Sequence, residues 1–190
     1  GISCGMPAID GAVSHVRFSG GFLYDTVGNA PPRGLCGSGL IDLIAALLEL
    51  GCIDEGGRLL PPDDAPEKMR RYLTCDADGN GVFHLTHEVY LTAQDVRNLQ
   101  LAKAAVAAGI SVLLAAEGIT VEKLDGVYLA GGFGSYLDPK SAVKIGMLPH
   151  LPPDKLHNSG NTALAGASIM ALDTEKIGCV RKIAQGCDYI

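Results

Sequence analysis

The chain has 190 residues, which suits one large domain or two small lobes. Hydrophobic residues make up 47% of it, which excludes a disordered segment, and its 25 glycines follow no period, which excludes collagen-like and low-complexity chains. The net charge of -6, without any basic block, argues against a nucleic-acid-binding face.

The sequence lacks recognisable targeting signals and metal-binding patterns. Asp42 interrupts the longest apolar run, 39–48, and no signal-peptide pattern opens the chain, so we expect a cytoplasmic protein without membrane contacts. Because the first residue is Gly1, we expect a processed start or a piece of a longer protein. The six cysteines form no C-x-x-C pair and the histidines show no metal spacing, so we expect no metal site in this chain.

The first half of the sequence predicts two hairpins and one helix. Strands are expected at 12–18 and 22–27, and again at 71–75 and 82–86, because each pair of apolar runs flanks turn residues. The helix is expected at 38–50, where apolar residues cover one broad face.

The second half predicts a long helix, a strand that ends in a glycine-rich turn, and three further helices. Thr92 is the expected N-cap of the long helix. The expected elements are a helix at 92–117, a strand at 125–130, helices at 139–145, 161–172 and 174–184, and a strand at 187–190. This order predicts an α/β fold in which helices cover a mixed sheet.

Residues 76–81, DADGNG, match the start of a calcium-binding loop. The twelfth position of that loop is His87, where the pattern requires a bidentate Glu, and strands rather than helices are expected on both sides. Asp, Gly and Asn are also turn residues, so the sequence favours a β-turn.

Residues 34–39, GLCGSG, open the first predicted helix. A helix N-terminus with glycines is a natural anion site, although a tight turn into a packed helix explains the same residues. Leu40 and Ile41 follow where a Walker A loop needs Lys and Ser or Thr, and Cys36 stands where a nucleophile elbow needs Gly. The local pattern by itself favours the tight turn.

Residues 129–134, LAGGFG, are the sharper candidate for a ligand site. A buried strand runs into three glycines within four positions, which exceeds what one tight turn needs. In α/β sheets ligands lie at the carboxyl ends of strands, where glycines allow the backbone to approach them. The pattern therefore favours a ligand-binding turn over a purely structural one.

The long helix places Lys103 within its apolar stripe. Lysine is rarely buried without a partner. Either the Lys103 side chain extends to the surface, or this end of the stripe faces a wet cleft that holds an anion. Gln100 and Arg97 lie progressively further from the stripe on the same helix.

Several blocks of the sequence together resemble one family, the C-terminal domain of the reductive activators of corrinoid-dependent enzymes. These activators are iron–sulfur ATPases of the sugar-kinase, heat-shock-chaperone and actin superfamily. The blocks that carry the resemblance are 2–16, 34–54, 91–114, 124–149 and 159–172, and together they cover nearly the whole chain.

The resemblance implies a ribonuclease-H-like lobe that shares ATP and Mg²⁺ with an N-terminal lobe not contained in this sequence. It implies that residues 1–190 form a single domain, the C-terminal lobe of a larger ATP-binding activator. The iron–sulfur cluster is expected only in an upstream domain. The implied role, in anaerobic metabolism, is ATP-driven reduction of Co(II) corrinoid to Co(I), which reactivates a corrinoid-dependent methyltransferase. We expect no activity from this chain alone.

The resemblance also suggests binding residues, while catalytic residues stay unassigned. It implies an adenosine-side turn at Gly131, Gly132, Phe133 and Gly134, and a helix start near the cleft at Gly37, Ser38 and Gly39. The long-helix block contains Arg97, Gln100 and Lys103, and their contact with nucleotide is a hypothesis motivated by Lys103 in the apolar stripe.

Two alternatives from other functional classes stay open. One is a non-catalytic module that forms a homodimer or docks to the corrinoid protein or methyltransferase. The other is the lobe of a small-molecule kinase of the same superfamily, which would need an upstream phosphate loop and a catalytic Asp.

Overall fold

The computed structural model describes residues 1–134 and 136–187. Its strands are β1 (Ala12–Phe18), β2 (Phe22–Thr26), β3 (Gly34–Leu35), β4 (Leu73–Cys75), β5 (Gly81–His84), β6 (Tyr90–Thr92), β7 (Val127–Leu129) and β8 (Leu156–Asn158). Its α-helices are α1 (Gly37–Glu49), α2 (Ala93–Ala116), α3 (Gly131–Gly134), α4 (Pro139–Lys144), α5 (Thr162–Leu172) and α6 (Lys176–Gln185). The predicted hairpins and main helices are confirmed. The strand expected at 187–190 falls on residues 188–190, which lie outside the described part.

The strands form three small sheets rather than one. The order β2-β1-β3 is mixed, because β1 pairs antiparallel with β2 and parallel with β3. Strands β4-β5-β6 are antiparallel, and β7-β8 are parallel. Phe22 of β2 packs edge-on against Phe83 of β5, with 4.9 Å between ring centroids, so the first two sheets share an apolar contact.

Helix α1 provides the centre of the hydrophobic core. Leu43 and Leu47 are fully buried, and the core extends to Phe83 of β5 and Val96 of α2. Gly39 allows α1 to lie directly against β1, because a Cβ there would come within 2.1 Å of the Val13 carbonyl oxygen. The apolar residues of α1 are therefore buried on nearly every side of the helix.

A capping box starts helix α2. The Thr92 hydroxyl accepts a hydrogen bond from the Asp95 amide, and the Asp95 carboxylate accepts one from the Thr92 amide. Asp95 is almost completely buried and also accepts hydrogen bonds from the amide and hydroxyl of Ser3, at 2.8 and 3.1 Å. The N-terminal segment is thereby fixed to the start of α2.

Beyond its first turns α2 is largely exposed. Its buried residues are Asp95, Val96 and Leu99. Among residues 1–134 and 136–187, α2 is the one helix long and apolar enough to cross a membrane by length and composition, a test that core helices of other proteins also pass. A single charged residue, Lys103, leaves an otherwise apolar stretch in α2 that is longer than the run at 39–48.

Residues 76–81 form the predicted turn between β4 and β5. The Asp76 carboxylate accepts hydrogen bonds from the backbone amides of Asn80 and Asp78. The hydrogen bonds from Asn80 in particular lower the pKa of Asp76. The acidic and amide side chains here stabilise the turn itself.

Candidate functional site

The glycine-rich start of α1 and the glycine turn after β7 meet at one cavity of about 600 Å³. The two segments are roughly 95 positions apart in the sequence, and this volume is within the range typical of small-molecule sites. The cavity is lined by Met6, Pro7, Ala8, Ser14, His15, Val27, Cys36, Gly37, Ser38, Gly132, Phe133 and Tyr136.

The start of α1 contributes backbone amides to this wall. Its N-cap is Cys36, which makes no side-chain hydrogen bond to the first turn, so the helix has no internal partner for its first amides. These amides and the helix dipole attract an anion. The hydroxyl of Ser38 is already engaged, because it donates to the Ser14 carbonyl at 2.8 Å and thereby ties α1 to β1.

The turn after β7 forms the opposite wall. Gly131 has a φ of +94°, which glycine adopts without strain, and its amide donates to the Gly160 carbonyl. No other part of the described chain comes within 4 Å of the position that a Cβ of Gly132 would take. The Phe133 ring lies against Gly37, where a Cβ would come within 2.3 Å of the ring, so the two walls touch.

Four of the predicted binding residues line the cavity, namely Gly37, Ser38, Gly132 and Phe133. The other three glycines that were predicted to bind have roles in packing or in the shape of the backbone. Gly39 permits the approach of β1 to α1, Gly131 shapes the turn, and Gly134 packs against Leu129. The structure therefore brings the two predicted segments together, but not every residue within them.

The structure does not bring the three predicted residues of α2 to this cavity. Gln100 and Lys103 line a separate pocket of about 90 Å³, and Arg97 is exposed and lines neither. Lys103 is half-buried and donates to the Ile145 carbonyl at the end of α4, at 2.5 Å. This contact accounts for a lysine in the apolar stripe, and nucleotide contact at these residues stays a prediction.

The N-terminal segment and β1 also line the cavity, although no sequence motif indicated them. Met6, Pro7 and Ala8 come from an irregular stretch without a recognisable motif, and Ser14 and His15 lie within a predicted strand. The signal that distinguishes β1 is a break in its register, and this break cannot be found from the sequence of β1 alone because it depends on the pairing with β2. Tyr136 lies two residues beyond the glycine turn.

A buried carboxylate lies next to the cavity. Asp42 of α1 is 5% exposed, its Oδ2 lies 3.1 Å from Nδ1 of His15, and its Oδ1 has no hydrogen-bond partner within the described residues. Burial raises the pKa of Asp42, and the Ser141 and His15 side chains oppose that effect. Residues 1–134 and 136–187 contain no group of three or more His, Cys, Asp or Glu side chains arranged to hold a metal ion.

Comparison with known proteins gives one family over the whole chain. Residues 1–190 match the family described as the C-terminal domain of RACo, the ASKHA domain. The chain is 32% identical over 201 residues to the corrinoid activation enzyme RamQ of Eubacterium limosum. It is 26% identical over 208 residues to the [Co(II) methylated amine-specific corrinoid protein] reductase of Methanosarcina barkeri.

A solved structure has the same fold. A reductive activator for corrinoid, iron–sulfur protein superposes over 100% of this chain with a TM-score of 0.88 and 37% sequence identity. The chain covers 31% of that protein, 34% of RamQ and 35% of the reductase, so it spans about a third of the length of these relatives. The predicted α/β fold of the sugar-kinase and actin superfamily is confirmed.

Proposed function

The chain belongs to the family of RACo C-terminal domains, and from this premise we propose that it is the ATP-binding lobe of an activator that reduces Co(II) corrinoid to Co(I). The reduction restarts a corrinoid-dependent methyltransferase. Two relatives that align over nearly the whole chain are named for corrinoid activation and for reduction of a corrinoid protein, which supports this role. The partner is the corrinoid protein or its methyltransferase.

The cavity between α1 and the β7 turn is the observation that carries the proposal. Phe133, Tyr136 and Met6 provide an apolar and aromatic part that suits a purine base. The first amides of α1 provide a polar part that suits phosphates. ATP has this same division into an aromatic and an anionic end, so the residues present fit it.

Bound ATP supplies a phosphoanhydride whose cleavage can drive the conformational change that the electron transfer requires. The residues of this chain bind and orient the nucleotide, with Gly132 and Phe133 at the base and Gly37 at the phosphates. Residues 1–134 and 136–187 contain no group of three or more His, Cys, Asp or Glu side chains that could hold a metal ion. We propose that Mg²⁺ coordination and the cluster belong to other parts of a full-length activator, and that residues 1–190 are its C-terminal lobe and lack activity alone.

The test is a substitution that fills the cavity without disturbing the fold. Gly132→Leu adds a side chain where no atom lies within 4 Å, so we expect the intact protein to fold and its ATP affinity to fall by about 10-fold or more. Gly178→Leu is the matched control, because Gly178 of α6 is equally open and lies outside the cavity. Calorimetric titration with ATP measures both, and equal affinities in the two variants would contradict the site.

A second candidate function is association, which the exposed apolar residues of the last two helices favour. Leu172 of α5 is 90% exposed and Ile183 of α6 is 64% exposed. In that case the chain serves as a dimerisation or docking module. Sedimentation of the Gly132→Leu variant separates the two functions. If the cavity is the nucleotide site, this variant loses ATP binding while its association stays intact.

A further inference from the structure

His15 enters the cavity wall at an irregularity in β1. The pairing of β1 with β2 advances by two residues in β1, from Val13 to His15, while it advances by one in β2, from Thr26 to Asp25. This β-bulge at Ser14 changes the direction of the side chains that follow it. Bulges of this kind are over-represented next to active sites because they redirect a side chain.

The imidazole of His15 is fixed by a carboxylate from the neighbouring helix. Nδ1 of His15 lies 3.1 Å from Oδ2 of Asp42, and the Val16 amide also donates to that oxygen. Asp42 lies one helical turn beyond Ser38 on α1, so the imidazole lies beside the first turns of the helix that forms the polar wall. His15 itself is 41% exposed and lines the cavity.

This arrangement leaves one ring nitrogen for a ligand. An ionised Asp42 accepts a hydrogen bond from Nδ1–H of His15, and Nε2 of His15 has no partner among the residues that the structure describes. In the imidazolium form Nε2 donates a hydrogen bond, and an anion beside the α1 amides is the acceptor that suits it.

Asp42 is costly as a purely structural residue. Its carboxylate is 5% exposed and one oxygen has no hydrogen-bond partner among the described residues, whereas an apolar residue at that place would carry no such penalty. A buried carboxylate that orients a half-exposed histidine is instead typical of functional sites, where the second group fixes the first.

We propose that His15 contacts a phosphate group of the bound nucleotide and that Asp42 is the positioning residue that holds its imidazole. This inference rests on the proposed nucleotide site and deepens it. Neither residue was among the sequence-predicted binding residues. The contact concerns the phosphate end alone, so its loss is expected to leave binding of the nucleoside unchanged.

The experiment compares ATP with adenosine in the intact protein. His15→Asn keeps a nitrogen near Nδ1 for Asp42 and removes Nε2, whereas His15→Gln places an amide nitrogen near Nε2. We expect His15→Asn to weaken ATP binding by about 10-fold with adenosine affinity unchanged, and His15→Gln to recover part of the loss. Arg17→Ala is the control, because Arg17 is a cation on the same strand that pairs with Asp25 outside this cavity.

Each other outcome of this titration overturns a specific statement. Wild-type affinity for ATP in His15→Asn overturns the phosphate contact, and an equal loss for ATP and adenosine reduces His15 to a structural residue. If the unsubstituted protein binds neither ligand, the proposed nucleotide site fails and the contact fails with it.

The role of Asp42 has its own readout. Asp42→Asn keeps the shape of the side chain, and we expect it to weaken ATP binding less than His15→Asn does and to change the nitrogen chemical shifts of His15, which report the tautomer. Unchanged shifts together with unchanged ATP affinity would overturn the positioning role and leave the His15 contact in place.

Discussion

Helices α1 and α5 are both apolar, but they have opposite environments. Nine of the 13 residues of α1 are buried, while none of the 11 residues of α5 is. The difference lies in their neighbours, because α1 lies against β1 with Gly39 at the contact, whereas α5 follows the two-stranded β7-β8 sheet, none of whose residues is buried. Apolar composition therefore predicts burial only where another element lies within contact distance.

The largest expected difference between the two helices is in the loss of stability when a leucine in each is truncated. Leu43→Ala in α1 leaves a cavity in the core, and we expect the free energy of unfolding to fall by about 3 to 5 kcal/mol. Leu172→Ala in α5 removes an exposed side chain, and we expect a change within about 0.5 kcal/mol. Urea unfolding of the two variants measures both changes. A loss of similar size at Leu172 would show that α5 is packed in solution and would remove the contrast.

The same substitution, glycine to alanine, tests the comparison at one glycine in each helix. Gly39→Ala in α1 drives a Cβ against the Val13 carbonyl, which is backbone, so we expect a loss of about 1 to 3 kcal/mol. Gly166→Ala in α5 meets no atom within 4 Å, so we expect a gain of about 0.5 to 1 kcal/mol from higher helix propensity. Thermal unfolding gives the sign of each change, and effects of the same sign would contradict the assigned environments.

The smallest effect concerns the pH dependence of stability at Asp42. Burial raises its pKa in the folded chain above 3.8, so on raising the pH the unfolded chain releases this proton first. The contribution of Asp42 to stability is therefore most favourable below the unfolded pKa and decreases as the pH rises through the folded pKa.

We expect the stability of Asp42→Asn relative to the unsubstituted chain to increase as the pH rises above about 4, and to level off once the carboxyl group of Asp42 is ionised in the folded chain. Urea unfolding at a series of pH values measures this difference. The same pair in a His15→Asn background is the control, because it removes the imidazole that lies 3.1 Å from the Asp42 carboxylate. A relative stability that falls with pH would mean that the hydrogen bonds of Asp42 outweigh its burial.

Local patterns were sufficient for most elements of the fold. The apolar face of α1 and the Thr92 cap of α2 each depend on residues close in sequence, and both were predicted within one or two positions. Strands β3, β6 and β8 were missed because each has only two or three residues and exists through its pairing with a distant strand. A strand of that length has no periodicity of its own.

The candidate site divides in the same way. Glycine-rich segments leave a local signature in the sequence, so the place of Gly132 and Gly37 in the cavity wall could be predicted. The position of His15 depends on a bulge in the pairing of β1 and β2, and its partner Asp42 lies 27 residues away, where it only interrupts an apolar run. Lys103 is the reverse case, because its unusual place in the apolar stripe is accounted for by its hydrogen bond to the Ile145 carbonyl, on a distant part of the chain.

The hydrogen bonds between Ser3 and Asp95 have a consequence for the order of folding. They join residues 92 positions apart, so the chain between them must be largely folded before the entropy cost of closing that loop is offset. The segment that follows Ser3 contains Met6, Pro7 and Ala8 of the cavity wall. We therefore expect this wall of the candidate cavity to form in a late step of folding and to be among the first parts to detach when the chain unfolds.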